Sequence, residues 1–385
     1  MSAPMTRGRV AIIGGGIIGL AIGWRLAQAG VAVEIFERGE AGRGASFAAA
    51  GMLAAGVESE PGEAALCALT RHGQALWPDF AAALEAASGI AVGLREEGTI
   101  EIALTRDDAA RLRHSFDFQR RQGVALEWLN AAEARAREPQ LGPQLAGAVF
   151  SPHDHQVDNR RVVIALRAAF LAAGGRLHER DEVALAVEND RAIGVRRGDG
   201  TLHEADRVVL AAGAWSAAVA GLPACARPAV RPIKGQMLAL TMNPAAPLLR
   251  HVLWTPRVYL VPRGDGRLII GATTEERGFD ASLTAGGILS LLEGAWRAMP
   301  AIEELPIAET WVGFRPGSRD DAPLLGPSAV AGLVLATGHH RNGILLAPIT
   351  ADLIARHLLE GAIDPAMAPF LPNRFAASMP ATPAA

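Results

Sequence analysis

The sequence predicts an α/β protein in which a Rossmann-like domain is interleaved along the chain with an α+β domain built on an antiparallel sheet. Three observations indicate this fold. The chain has 385 residues, more than one ordinary core requires, so two domains are expected. A glycine-rich turn joins the first predicted strand to the first predicted helix. A second stretch of alternating helix and strand returns only at 161–210, after a region with a different pattern.

The first predicted elements form a βαβ unit, whose strand, turn, helix and strand are Arg9–Ile13, Gly14–Gly19, Leu20–Ala29 and Val31–Glu37. In the turn, Gly14 permits the tight bend, Gly16 lets a pyrophosphate approach the backbone, and Gly19 lets the helix pack on the strand. The helix N-terminus favours phosphate charge. Glu37 ends the second strand, where a ribose hydroxyl is bound in such units. Dinucleotide binding is the favoured interpretation, and an ordinary βα turn is the alternative.

The rest of the chain alternates between helical and extended patterns. A small-residue loop is predicted at 39–53 and strands at 90–104, 183–187, 192–197, 202–205, 207–211 and within 235–272. Helices are predicted at 63–84, 107–122, 131–138, 162–173 and 284–298, followed by a strand, a loop and a long helix over 333–360. The predicted nucleotide-binding domain comprises 7–84, 150–222 and 306–370. The predicted substrate domain comprises 85–149 and 223–305, and residues 372–385 are expected to form a disordered tail.

Composition disfavours several classes of protein. The net charge of −3 gives no basic excess for a nucleic-acid backbone, so no nucleic-acid partner is expected. Glycines and Arg25 interrupt the apolar run 10–27, which we interpret as strand, turn and helix rather than a signal peptide or membrane span. We therefore expect no integral membrane segment and a cytoplasmic location. Cys67 and Cys225 are far apart and are predicted to be reduced, mostly buried thiols. His153 and His155 lack the pattern of a dedicated metal site, so no metal is expected.

Beyond the glycine turn, the sequence resembles the D-amino-acid oxidase family of flavoproteins, and most closely its glycine-oxidising members of the thiamine pathway. The segments that carry the resemblance are Val10–Glu37, Gly44–Leu53, Val208–Ser216, Tyr259–Arg263, Gly271–Thr273, Gly313–Gly317 and Thr337–Pro348. They extend over nearly the whole chain. The Arg-Pro-Gly segment at 315–317 and the His-Arg-Asn-Gly segment at 340–343 are the specific ones, whereas many flavoproteins share the first glycine motif. The resemblance implies an FAD-binding domain of the glutathione-reductase type.

The resemblance also implies which residues bind the cofactor, and FAD is expected to be held noncovalently because no residue stands at a recognised attachment position. The predicted FAD-binding residues are Gly14, Gly16, Ile17, Ile18, Gly19, Glu37, Arg38, Ser46, Ala49, Ala50, Gly51, Met52, Val183, Ala212, Gly213, Trp215, Arg315, His340, Arg341, Asn342, Gly343, Ile344 and Leu345. Small side chains at 44–52 would let the backbone approach the isoalloxazine ring. The helix after 343 would direct its N-terminus at the flavin, with Asn342 as its cap.

Three residues are predicted to act on the substrate. A guanidinium binds a carboxylate through two parallel hydrogen bonds, and the resemblance assigns that role to Arg315. Tyr259, the only tyrosine, would donate its hydroxyl to the same carboxylate, and Arg341 would lie near flavin and substrate. The alternatives are a structural ion pair for Arg315, a core tyrosine, and a helix-start charge for Arg341. Arg257 and Thr274 would line the substrate pocket, and Lys234 is predicted to begin a strand.

The implied reaction is oxidative deamination of glycine or another small amino acid. A hydride would pass from Cα to flavin N5, the imine would hydrolyse to a keto acid and ammonia or supply thiazole synthesis, and oxygen would be reduced to hydrogen peroxide. The expected partners are therefore a small amino acid and oxygen, and we also expect a homo-oligomer. The alternatives are a D-amino-acid dehydrogenase with a quinone acceptor, the flavin domain of a tRNA-modifying enzyme, and a non-catalytic flavin-binding protein.

Overall fold

The computed structural model describes residues 8–58 and 62–378. Within them the chain divides into two compact units. The first unit contains the described residues up to Ala45, Val163–Pro232, and those from Arg315 onward. The second unit contains the described residues of Ser46–Val162 and Ile233–Phe314. Each unit is assembled from separate stretches of chain, as the interleaved pattern predicts.

The helices and strands are numbered in chain order. The helices are α1 (Ile17–Gln28), α2 (Ala45–Ala48), α3 (Ala64–Ser88), α4 (Arg106–Arg121), α5 (Ala131–Arg137), α6 (Asn159–Ala172), α7 (Ala285–Ala298) and α8 (Ala347–Glu360). Strands β1–β10 are Arg9–Ile13, Ala32–Glu37, Met52–Leu53, Thr99–Ala103, Glu127–Leu129, Gly147–Ser151, His155–Gln156, Arg176–Glu179, Val183–Glu188 and Arg191–Arg197. Strands β11–β19 are Leu202–Glu204, Arg207–Leu210, Arg231–Thr241, Val252–Trp254, Tyr259–Pro262, Arg267–Gly271, Ile307–Gly317, Leu324–Pro327 and Leu333–Thr337.

The first unit is built on a six-stranded sheet of order β18-β19-β12-β1-β2-β8. Its strands run parallel except β18, which is antiparallel to β19. Parallel strands that are buried on both faces have continuous runs of apolar residues in their sequences. The β12 segment Val208–Leu210 is such a run, and all three residues are fully buried. Strands β9, β10 and β11 form a separate antiparallel sheet in the same unit. The carboxyl ends of β1 and β12 therefore lie side by side.

The second unit is built on an eight-stranded sheet of order β17-β13-β16-β15-β14-β4-β6-β5. The neighbours β13·β16, β16·β15, β15·β14, β4·β6 and β6·β5 are antiparallel. The pair β14·β4 is parallel, so the predicted antiparallel sheet is mixed at its centre. One face of this sheet packs in an apolar core that includes Ile100, Leu253, Leu260 and Ile270, all fully buried. The opposite face carries Tyr259.

Several predicted boundaries differ from the structure. Residues 46–84 and 150–162 belong to the second unit rather than to the nucleotide-binding part. They do so because β3 pairs with β7, and because the Trp311 indole donates a hydrogen bond to the Ala48 carbonyl at 3.1 Å. The predicted strands over 90–104 reduce to β4, and the small-residue loop contains the short helix α2. Helix α3 continues to Ser88 because Gly89, in the left-handed conformation at φ 70°, ends it.

The predicted disordered tail is wrong for its first part. Pro372–Ser378 form a 3₁₀ helix, and the Arg374 guanidinium donates to Asp320 at 2.8 Å. Residues 379–385 of that prediction lie outside the described residues. Cys67 is buried as expected, but Cys225 is exposed. Among the residues that the structure describes, no helix is both long and apolar enough to cross a membrane.

Candidate active site

The glycine turn has the geometry of a dinucleotide-binding loop. Gly14 has φ 111°, and a side chain there would collide with the Ala211 carbonyl at the end of β12. A side chain at Gly19 would collide with the Gly14 carbonyl, so helix and turn can pack this closely only with glycine. Helix α1 begins at Ile17, and its N-cap, Gly16, has no side chain with which to cap it. An uncapped helix start beside a close-packed glycine turn fits a pyrophosphate group.

The Glu37 side chain also forms hydrogen bonds with the backbone of this turn. One carboxylate oxygen accepts a hydrogen bond from the Gly15 amide at 2.9 Å, and the other accepts from the Gly39 amide at 3.0 Å. The carboxylate thus ties the end of β2 to the glycine turn. The sequence indicated a ribose ligand at Glu37 but not this structural role, because the two amides cannot be identified from spacing alone.

Arg38 and Trp215, both predicted cofactor residues, lie together in the first unit. The Arg38 guanidinium stacks 4.1 Å from the centre of the Trp215 ring, an arrangement that stabilises a cation on an aromatic face. Gly44 lies against the same indole, where an added Cβ would be 3.5 Å from the ring. Trp215 is half-buried, so part of its surface remains accessible.

The predicted residues that follow β12 lie in a turn beside β19. Ala212 is half-buried, and Gly213 has φ 53°. The Thr337 hydroxyl at the end of β19 donates to the Gly213 carbonyl at 3.2 Å. Val183 begins β9 and is buried in an apolar core of the same unit. Two residues before it, the Asp181 amide donates a hydrogen bond to the Glu37 carbonyl at 3.0 Å. These residues border the glycine turn.

Positive charge is concentrated around His340. Burial lowers the pKa of His340 to about 4; the Asp321 carboxylate opposes this shift, and the charges of Arg315, Arg341 and Arg231 add to it. Arg315 and Arg341, which the sequence predicted as substrate residues, therefore act on the same imidazole. His340 is neutral at neutral pH, and its Nδ1 has no hydrogen-bond partner in the described part of the chain. Three guanidinium groups and the Asp321 carboxylate, 3.8 Å from the His340 ring, therefore surround this imidazole.

The helix after this cluster begins later than predicted. His340–Asn342 form one turn of 3₁₀ helix, and α8 begins at Ala347 with Leu346 as its N-cap and no side-chain cap. The predicted cap by Asn342 is therefore wrong. Its backbone carbonyl accepts from the Leu346 amide at 2.8 Å instead. The intervening Gly343, Ile344 and Leu345 form the turn that leads into α8, and both Ile344 and Leu345 are buried.

In the second unit, the small-residue segment 46–52 is held by a buried arginine that the sequence did not single out. The Arg263 guanidinium donates to the Ala50 carbonyl at 2.6 Å, to the Val157 carbonyl at 2.6 Å and to the Asn159 side chain at 3.0 Å. It also donates to the Gln156 side chain at 2.9 Å. Burial lowers the pKa of Arg263 to about 10, so it stays charged at neutral pH. Its position in the Tyr-Leu-Val-Pro-Arg motif was the only available signal.

Close packing also explains the small residues of this segment. Gly51 has φ 69°, and a side chain there would collide with the Val157 carbonyl. Gly313 on β17 leaves room for Ala48 in the same way. Asn159 donates from its side-chain amide to the Ser46 carbonyl at 2.7 Å. The remaining predicted positions differ in exposure, since Ala50 is buried whereas Ala49 and Met52 are half-buried.

Tyr259 begins β15 on the face of the large sheet opposite its apolar core. Its hydroxyl lies 3.4 Å from the Met237 sulfur, and its ring covers Gly271, where a side chain would collide with it. The Trp254 ring lies beside it, with centroids 5.6 Å apart. Tyr259 is half-buried and packs against a second apolar cluster, on its own face of the sheet, that includes Met237 and Ala239.

Other residues singled out from the sequence have structural surroundings of their own. Lys234 lies within β13 and is fully buried, with its ammonium 3.2 Å from the Asp280 carboxylate and 3.8 Å from that of Glu275. Arg257 lines a cavity of about 240 Å³ together with Arg111 and Arg297. Within the described residues no group of three His, Cys, Asp or Glu side chains is arranged to hold a metal ion.

Comparison with known proteins agrees with this geometry. Residues 9–357 match the family model DAO, described as FAD dependent oxidoreductase. The chain is 40% identical to a glycine oxidase of Geobacillus kaustophilus over 369 residues, which cover 94% of this chain and 95% of that protein. It is 38% identical to the bifunctional protein ThiO/ThiG of Trichormus variabilis, covering 98% of this chain and 57% of that protein. The crystal structure of the Geobacillus kaustophilus glycine oxidase superimposes with a TM-score of 0.87 at 39% identity, covering 96% of this chain and 99% of that one.

Proposed function

This chain belongs to the D-amino-acid oxidase family of FAD-dependent oxidoreductases, and from that premise we propose that it oxidises glycine to an imine at the expense of oxygen. It is an FAD-dependent amino acid oxidase, as the sequence predicted. Glycine as the preferred substrate is supported by the identity of 40% to a glycine oxidase over nearly the full length of both proteins. The fold class predicted from the sequence is confirmed by the same comparisons.

The residues of the first unit fit FAD. The glycine turn and the start of α1 would hold the pyrophosphate, Glu37 the ribose, and Arg38 with Trp215 would flank the nucleotide. FAD supplies, when bound, the two-electron acceptor for the substrate Cα–H bond. We propose that it is held noncovalently, because the family motifs contain no recognised attachment residue, and acid precipitation should release it into the supernatant.

The observation that carries the substrate assignment is the positive charge that Arg315 and Arg341 impose on His340. An arginine fork binds a carboxylate with two charge-assisted hydrogen bonds. We propose that Arg315 binds the substrate carboxylate and that Tyr259 and Arg341 are further substrate-binding residues. An α-amino acid would gain these charge-assisted hydrogen bonds, whereas a simple amine, which has no carboxylate, would not.

The remaining chemistry needs little from the protein. The substrate must lose its ammonium proton before a hydride can leave Cα, and the positive charge around Arg315 favours that loss. His340 is neutral in this environment, since burial and the neighbouring arginines hold its pKa at about 4. The resulting imine hydrolyses to a keto acid and ammonia. A supply of imine to thiazole synthesis is supported by the match to one part of the bifunctional ThiO/ThiG protein.

Anaerobic reduction of the bound flavin tests this function. Glycine should bleach the visible absorbance of the flavin as it is reduced, and sarcosine and D-alanine should do so more slowly. Readmitted air should restore the colour with one hydrogen peroxide per flavin. Reduction by D-amino acids but not by glycine, with slow reoxidation in air and rapid reoxidation by a quinone, would identify the chain as a D-amino-acid dehydrogenase instead.

Replacing Glu37 by alanine should weaken FAD binding while the fold survives. A charged hydrogen bond is worth about 1.5–3 kcal/mol, so the Kd of FAD should rise about tenfold or more. Fluorescence titration of the apoprotein with FAD measures this change. Glu37→Gln should give an intermediate Kd, because it keeps one acceptor for the two amides but loses the charge. The exposed neighbour Glu40→Ala is the matched control, and an equal Kd for the Glu37→Ala and Glu40→Ala proteins would exclude the ribose role.

We further propose that the protein is cytoplasmic and forms a homo-oligomer. The exposed free thiol of Cys225 fits a reducing compartment. Leu289 and Trp296 on α7 expose 66% and 46% of their surface, and exposed large apolar side chains on one helix fit a subunit contact. Light scattering on the purified protein gives the subunit number directly.

A further inference from the structure

The segment between β16 and α7 is exposed along nearly its whole length. We call residues 274–283 the strap. Every residue of the strap is exposed except Glu275 and Asp280, which are half-buried. Its two large apolar side chains, Phe279 and Leu283, expose 44% and 42% of their surface. Burial of apolar surface therefore contributes little to holding the strap in place.

The two half-buried residues of the strap both face Lys234, a fully buried residue of β13. The Lys234 ammonium lies 3.2 Å from the Asp280 carboxylate and 3.8 Å from that of Glu275. The backbones of Lys234 and Glu275 also exchange two hydrogen bonds, at 2.9 and 3.0 Å. Hydrogen bonds from Ser282 and Lys234 lower the pKa of Asp280 to about 2, so its carboxylate is charged at neutral pH. A buried ammonium requires such partners, and the strap supplies them.

Gln236, which is also fully buried, fixes the residues at both ends of the strap. Its backbone amide donates to the Thr273 hydroxyl at 2.8 Å. Its side chain donates to the Thr284 hydroxyl at 3.0 Å and accepts from the Thr284 amide at 2.8 Å. The same side chain donates to the Glu275 carboxylate at 2.8 Å. Fixed ends with an exposed, ion-paired middle allow the strap to move while the sheet stays folded.

The strap begins on the face of the large sheet that carries Tyr259. The side chains of Tyr259 and Met237 meet on that face at 3.4 Å. Lys234 lies an odd number of residues before Met237 on β13, so its side chain is on the opposite face. Glu275 meets Lys234 there, and Thr274 before it therefore lies on the face of Tyr259. Movement of the strap would change the exposed surface of that face.

We propose that residues 274–283 open and close as one strap, that Lys234 is the latch that keeps it closed, and that only the closed strap binds substrate. Opening separates the Lys234 ammonium from both carboxylates and exposes little apolar surface, so it requires less free energy than global unfolding. The last part rests on the proposed function, because the closed strap holds Thr274 beside Tyr259. Lys234 acts through the strap and is thus a positioning residue.

Lys234 is the only lysine of the sequence, so its reaction with an amine reagent measures opening. The holoenzyme is treated with N-hydroxysuccinimide acetate, and peptide mass spectrometry distinguishes Lys234 from the N-terminal amine. Asp280→Asn should raise the labelling rate about tenfold, because one charge-assisted contact is lost. Asparagine keeps the oxygen that accepts from Ser282. Glu275→Gln should raise the rate similarly, whereas Glu293→Gln, an exposed acid on α7, should react as the wild type.

Urea shows how much of the protein opens when Lys234 reacts. The labelling rate of the wild type should rise with urea at a slope well below the m-value of global unfolding, because the strap exposes little surface. This measurement does not depend on whether a variant folds. A slope equal to the global m-value would mean that Lys234 reacts only in the unfolded chain, and it would exclude the strap. Equal labelling rates for the wild type, Asp280→Asn and Glu275→Gln would exclude the latch.

A carboxylate ligand tests the link to substrate binding. Acetate has no amine that would consume the reagent, and its Kd is obtained from a spectral titration of the flavin. At ten times this Kd the labelling of Lys234 should slow about tenfold, since the ligand stabilises the closed form. Acetate that perturbs the flavin without slowing the labelling overturns the link. If acetate leaves the flavin spectrum unchanged, the proposed carboxylate site fails together with the link, whereas the variants and urea still decide whether the strap opens.

Discussion

Arg315→Ala should retain FAD but lose about a few hundred-fold or more in kcat/KM for glycine. Removing one partner of a buried, hydrogen-bonded charge pair costs roughly 3–5 kcal/mol, and the substrate carboxylate would be left unpaired. The loss should appear mainly as a higher glycine concentration for half-maximal flavin reduction. Stopped-flow reduction under anaerobic conditions measures it, since the flavin itself reports the reaction.

Substrate comparison separates loss of an anchor from loss of the fold. Arg315→Lys should recover activity only in part, because an ammonium cannot form the planar two-bond fork. Arg319→Ala, an exposed arginine four residues further on, is the matched control and should behave as the wild type. A simple amine such as methylamine should be a poor substrate for the wild type and lose little more in Arg315→Ala. If methylamine equals glycine in the wild type, the carboxylate role of Arg315 is wrong.

Arg263→Met should destabilise the protein by about 3–5 kcal/mol and loosen the segment 46–52. Arg263 is buried and donates to the Ala50 and Val157 carbonyls and to the Gln156 and Asn159 side chains, so methionine leaves four acceptors unsatisfied. We also expect lower FAD content, because the segment predicted to face the isoalloxazine ring loses its tie to β7 and α6. Urea unfolding and the ratio of flavin to protein absorbance measure the two effects.

The control for Arg263 is an arginine of the same unit with an exposed side chain. Arg250→Ala should change stability by no more than about 0.5 kcal/mol, as is usual for surface substitutions. Arg263→Lys should recover little, since a single ammonium cannot serve four acceptors arranged around a planar fork. Wild-type stability and full FAD content in Arg263→Met would show that the buried network does not hold the segment.

The sequence alone determined the features that depend on residues close together along the chain. The strand, glycine turn and helix at 9–28 follow from local backbone requirements, because Gly14 has a positive φ and Gly19 admits no side chain. Helix α4 was predicted to within a residue, since Thr105 and Asp108 cap it reciprocally. The family motifs, which are local strings of residues, led to FAD and to amino acid oxidation, both confirmed by the comparisons.

Only the tertiary structure decided which distant groups meet. The partners of Glu37 lie at Gly15 and Gly39, and those of Arg263 lie more than a hundred residues earlier in the chain. Strand order and register create these contacts, and neither is encoded in the local period of apolar residues. The unit boundary near 46 and the uncapped start of α8 have the same origin. The sequence specifies which donor and acceptor groups are present. The fold determines which of them lie within about 3 Å of each other and can therefore form hydrogen bonds.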